Sequence, residues 1–136
     1  METVSRIRSY KINVNTTGVA GSASGEADSV PFSGRILSVD CIPIGTAPAT
    51  TDVTVFITRD DNKEINIETV ATFANLSGVV RRYPKREVDD GAGASLAAAN
   101  KTNVFDHFVT YHGVHVEVAQ SDELSPAVRV EVIVEE

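Results

Sequence analysis

A chain of 136 residues is long enough for one domain with a real core and needs no covalent staple. Its net charge of −7 disfavours sequence-independent binding to nucleic acid or to an anionic membrane, and a 6 % aromatic content without tryptophan disfavours stacking on sugars or bases. The single cysteine, Cys41, excludes an internal disulfide, and no window has the length or apolarity of a leader peptide or membrane span, so a soluble protein not secreted by its own leader is expected.

From Val4 to Val14, Tyr10, Ile12 and Val14 share one parity while Ser9, Lys11 and Asn13 share the other, the period of a half-buried strand. Arg6 and Arg8 interrupt it, so residues 1–15 form an edge strand or an exposed arm. Thr16–Ser29 is crowded with Gly, Ala and Ser. Val19, Gly21, Ala23, Gly25 and Ala27 alternate with more polar neighbours, which favours a flat strand over a linker. Its small side chains admit a close backbone, from within the fold or from a neighbouring subunit.

In Val30–Gly45, Leu37, Val39 and Cys41 occupy one parity and Ile36, Ile42 and Ile44 the other, as in a central strand covered on both faces. Pro43 marks its end or a bulge, and Cys41 reads as a small core residue and not a nucleophile. Ala47–Val70 reads as a hairpin: Val53, Val55 and Ile57, a turn at Asp60, Asp61 and Asn62, then Ile65 and Ile67. With Glu64 those turn residues could be oxygen ligands for Ca²⁺, but the spacing is not that of an EF-hand, and a solvated turn is expected.

The middle of the chain is less regular. Arg81, Arg82, Lys85 and Arg86 cluster around Tyr83 and Pro84, where they either dock on an acidic partner or pair with the protein's own carboxylates. Asp89–Asn100 is a flexible or briefly helical connection. Asn103–Gly113 brings Phe105, Phe108 and Tyr111 together and is expected to pack across the open end of a sandwich. In Gly113–Glu136, Val114, Val116 and Val118 alternate, and after a polar loop Val128, Val130, Val132 and Val134 do the same, which predicts a β-hairpin. Such a hairpin cannot stand alone, because the entropy of ordering its backbone offsets the burial of its valines. The expected fold is therefore all-β: one antiparallel β-sandwich, or a jelly-roll or β-tulip-like variant, spanning 1–136 with the C-terminal hairpin in its core.

Catalytic signals are weak. His107, His112 and His115 lie close in sequence, but strand geometry puts His112 and His115 on opposite faces unless Gly113 makes a bulge. A metalloenzyme is the least favoured outcome, and no nucleophile elbow, phosphate loop or dinucleotide fingerprint occurs. A non-enzymatic protein without metal or cofactor is expected.

Four segments in order carry a resemblance: "P-x-x-G-R-I" at Pro31, Gly34, Arg35 and Ile36 after the Gly/Ala/Ser-rich strand, "PATTDVT" at Pro48–Thr54, "YP" and a basic residue at Tyr83, Pro84 and Lys85, and "G-x-x-V-x-V-A-Q" at Gly113–Gln120. This order resembles a group of small structural proteins of tailed bacteriophages. The resemblance implies a virion protein, a capsid decoration or cement protein that binds the major capsid protein on the outer shell. It implies self-association, with a trimer favoured, and synthesis in the host cytoplasm; the net charge independently argues against nucleic acid or a membrane as partner. Within that role Arg6, Arg8, Arg81, Arg82, Tyr83, Lys85 and Arg86 are the expected protein-interaction residues. The alternative is a receptor- or glycan-binding module of a head or tail fibre, using loops such as Ser121–Pro126 or Asp60–Asn62.

Overall fold

A computed structural model describes residues 6–58, 66–88 and 105–136. Its strands are β1 (Ile7–Val14), β2 (Ala23–Asp28), β3 (Gly34–Pro43), β4 (Asp52–Thr58), β5 (Asn66–Phe73), β6 (Val80–Arg82), β7 (Lys85–Glu87), β8 (Phe105–His107), β9 (Val109–Thr110), β10 (Val114–Ser121) and β11 (Val128–Glu135). One sheet runs β1–β11–β3–β6, with β9 also on β3; the second runs β2–β10–β4–β5; β7 and β8 form a separate ribbon. Every pairing is antiparallel, and no helix occurs among the described residues. The protein is an all-β sandwich.

Period-two burial builds the core. Val128, Val130, Val132 and Val134 are fully buried while Arg129, Glu131, Ile133 and Glu135 are half-buried on the opposite face. Rows run across the first sheet, such as Ile12, Val130 and Cys41, and across the second, such as Ala27, Val116 and Val55. The two inner faces merge into one apolar cluster, closed by Phe32, Phe73, Leu76 and Phe108. Cys41 lies inside it, and burial pushes its thiol up to about 12.

The expected C-terminal hairpin is not one. β10 and β11 do not pair; each is an interior strand of a different sheet, and their valines face each other across the core. The connection between Ser121 and Val128 crosses a gap of about 10 Å, which six residues span easily. Its polar groups bond to the end of β1, the β1–β2 turn and the residue after β3. Thr16 Oγ1 donates to the Asp122 carbonyl at 2.5 Å, and Thr16 N and Ala127 N are held to Leu124 O and Val14 O, both at 2.9 Å. Alternation fixes which face of a strand is buried but not which strand lies beside it.

The two-faced apolarity of β3 has a different cause from the one expected. The ladder with β11 slips between Ile133 and Val134, which pair with Ser38 and Ile36, so Leu37 is the extra residue of a bulge. The bulge flips parity, and Ile36, Val39 and Cys41 all point inward. β3 is central as expected, and it ends at Pro43.

The expected strand forms only over β2, and the close backbone belongs to the fold itself: a Cβ on Gly25 would stand 1.9 Å from the Asn15 carbonyl oxygen. Residues 17–22 form the turn before it. The β4–β5 hairpin is as expected, although its turn, Asp60 to Glu64, lies outside the described residues. So does the Asp89–Asn100 connection.

Candidate functional site

Arg6 and Arg8 sit at the β1 edge of the first sheet. The Arg6 backbone exchanges hydrogen bonds with Glu136 (3.2 and 2.7 Å), and Arg8 pairs with the Glu136 carboxylate at 3.2 Å. Tyr10 donates to the same carboxylate, which raises the phenol above its ordinary value. Arg81 and Arg82 lie on β6, three strand spacings away across β11 and β3, or about 14 Å at ordinary strand spacing. The seven expected interaction residues therefore do not form one patch.

The basic cluster is largely engaged by its own fold. β6 pairs with β3 so that Arg81 is directly opposite Asp40, and it grips that carboxylate through Nε at 2.5 Å and Nη2 at 2.7 Å. Hydrogen bonds from Arg81 hold the Asp40 carboxyl below its ordinary value, the partial burial of Asp40 opposing them. Arg82 points the other way and lays its guanidinium 5.6 Å from the centre of the Phe73 ring, covering the side of the core. Arg86 reaches Glu68 of β5 at 3.5 Å. Lys85 is exposed, and its charge helps to lower the carboxyl of Asp106 on β8 after the His107 backbone amide and Arg35 have acted.

The β7–β8 ribbon thus straddles the open side of the sandwich. It is tied to the first sheet by Ile36 N to Phe108 O at 2.9 Å, by His107 Nδ1 to Ile36 O at 3.2 Å and by Arg35 to Asp106 at 3.2 Å. Arg86 ties it to the second sheet. Beneath it is a cleft of about 620 Å³ between β4, β5 and the ribbon, with Arg86, Asp106, His107, Val109, Tyr111 and His112 on its walls. Of the aromatic residues expected to close the sandwich only Phe108 does so; Phe105 and Tyr111 are exposed, as is Tyr83. Val79, Tyr83, Phe105, Val109 and Tyr111, all on or immediately beside β6 to β9, are five of the eight large exposed hydrophobic residues among the described residues.

The three histidines do not share one site, and His112 lies in the bend before β10, not on the strand. His107 and His112 border the cleft, whereas His115 is buried on the outer face of the second sheet, beside Phe56 and among Glu26, Asp28 and Glu117. Sequence spacing alone missed this cluster, because two of its acids come from β2 and meet His115 only through strand register. Gly113, at φ +84°, turns the chain into β10 where a Cβ would meet Ser29 Oγ at 2.4 Å. Comparison with family models, curated proteins and solved structures finds no match.

Proposed function

We propose that the protein is a capsid decoration protein of a tailed bacteriophage, which attaches to the outer shell and bridges neighbouring major capsid subunits. The order of segments described above supports this role, and one observation carries it: five of the eight large exposed apolar residues among the described residues fall between Val79 and Tyr111, on or beside the strands that flank a ribbon pinned to both sheets. Exposed apolar groups beside polar ones mark docking surfaces, and a pinned ribbon presents them with little ordering cost. The chain exposes 7946 Å², and a standard contact takes about 800 Å² from each partner. Two or three such contacts fit on one chain.

The mechanism is mechanical. A protein that binds the assembled lattice but not free subunits stabilises the lattice by mass action, and several weak contacts, as in a trimer at a local three-fold position, lengthen its residence. Arg81, Arg82 and Arg86 serve the fold first, so Tyr83, Phe105, Tyr111 and Lys85 make the contact and attachment depends only weakly on salt. Co-sedimentation with expanded shells tests this. Parent protein pellets with shells at both 50 mM and 500 mM salt and raises their resistance to heat, while a Tyr83→Ala/Tyr111→Ala variant does neither. Failure of the parent to pellet, or full binding by the variant, contradicts the proposal.

A further inference from the structure

We infer that the outer face of the second sheet carries a Zn²⁺-type divalent metal site built from His115, Glu26 and Glu117, with Asp28 orienting the imidazole. The inference is independent of any role on a capsid.

Register creates the cluster. β10 and β2 pair so that Glu117 lies opposite Glu26 and His115 opposite Asp28, and the period of two puts all four side chains on one face. Like charges directly opposite on neighbouring strands are destabilising. Here two glutamates face each other and an aspartate stands one pair away, with a single imidazole among them. A dication between the glutamates would convert that repulsion into attraction.

The geometry around His115 is that of a metal ligand. Its side chain is only 8 % exposed, and Nδ1 is 2.5 Å from the Asp28 carboxylate. A proton on Nδ1 donated to Asp28 leaves the lone pair on Nε2, the carboxylate–histidine–metal pattern that fixes tautomer and ring orientation. Nε2 is aimed at Glu117 and Glu26, 3.4 and 3.6 Å from their oxygens, contacts that are ion pairs only when the ring is protonated. Those separations exceed an ordinary N–H···O bond. They match instead the edge of a tetrahedron: donor atoms about 2.0–2.2 Å from a common Zn²⁺ lie roughly 3.4 Å from each other. All three donor atoms lie within 4.8 Å of one another. One imidazole with two carboxylates suits Zn²⁺ and related ions better than Ca²⁺ or Mg²⁺, which prefer an all-oxygen shell. Glu26 is 68 % exposed, so an ion can enter from solvent and complete its shell with water.

The test is calorimetric titration of chelator-treated protein with ZnCl₂ at pH 7.5, with CaCl₂ in parallel and CoCl₂ as an optical probe. The expected result is one Zn²⁺ per chain, no comparable Ca²⁺ binding, and Co²⁺ absorption of four-coordinate intensity. Glu26→Gln and Glu117→Gln each weaken Zn²⁺ binding at least tenfold, and Asp28→Asn weakens it by roughly 10- to 100-fold through loss of the orienting contact. Because His115 is buried and its replacement disturbs packing, the exposed Glu26→Gln variant is the decisive one, and the ¹⁵N shift of His115 Nε2 on Zn²⁺ addition reports the ligand directly. No binding below about 1 mM Zn²⁺, parent-like affinity in Glu26→Gln, or an unmoved Nε2 resonance overturns the inference.

Discussion

Replacing Val132 or its neighbour Ile133 with alanine tests the packing directly, because the smaller deletion should cost more. Val132 is fully buried and lies between Tyr10 and Val39 on the inner face, whereas Ile133 faces outward between Ser9 and Ser38 and is half-buried. Val132→Ala removes two methyl groups, about 1.6 kcal/mol of transfer free energy at roughly 0.8 kcal/mol per carbon. A residual cavity of about 50 Å³ adds roughly 1 kcal/mol at about 24 cal/mol per Å³. The total is about 2.5 kcal/mol. Ile133→Ala deletes three carbons from a site already in partial contact with water, where about 1 kcal/mol or less is expected. Urea unfolding followed by far-UV circular dichroism reads the difference: with a slope of about 1–3 kcal/mol per molar, Val132→Ala moves the midpoint down by roughly 1–2 M and Ile133→Ala by less than half as much. Equal costs, or the reverse order, would show that the outer face is also packed and that the two-layer description is wrong.

Gly25→Ala drives a Cβ to within 1.9 Å of the Asn15 carbonyl oxygen, a backbone atom that cannot swing aside, and should cost roughly 1–3 kcal/mol. Thermal melting against Gly78→Ala, where the added Cβ meets nothing within 4 Å, checks this; equal melting temperatures refute the close approach. Cys41, its thiol pushed from 9.0 up to about 12 by burial, should resist a disulfide reagent at pH 8 until urea unfolds the chain. Since the folded value is the higher, this group's contribution to stability is intact below pH 9.0 and is lost as pH rises towards 12; prompt labelling of native protein would place the thiol outside the core. Asp40 has the opposite sign: its carboxyl is held below 3.8 by Arg81, so its contribution is intact above that value and is lost as pH falls through the lower folded value. Denaturation midpoints from pH 6 to pH 2.5 should fall more steeply in the parent than in Asp40→Asn, and parallel curves would remove the pair from the account.

Much of the fold was legible because burial on one face of a strand imposes a period of two, which Val53–Ile57, Val114–Val118 and Val128–Val134 display without interruption. Partnership was not legible. β10 and β11 look like a hairpin in sequence, yet the loop between them hydrogen-bonds to Thr16 and Val14, more than a hundred residues distant, among other partners outside the two strands. The bulge at Leu37 was hidden for a similar reason, since an inserted residue and a strand apolar on both faces leave the same pattern. The basic segment stood out by charge, but charge alone could not tell that Arg81 faces Asp40 and Arg82 covers Phe73. The cluster at His115 was equally silent, because its acids at Glu26 and Asp28 belong to a strand read for its small residues.

Attachment to a shell is the central functional claim, and a difference map between imaged particles with and without this protein tests it most directly. The account predicts added density on the outer capsid surface at local three-fold positions, oriented with the β7–β8 ribbon against the lattice. Density confined to a fibre, or identical shells in the two maps, would contradict it.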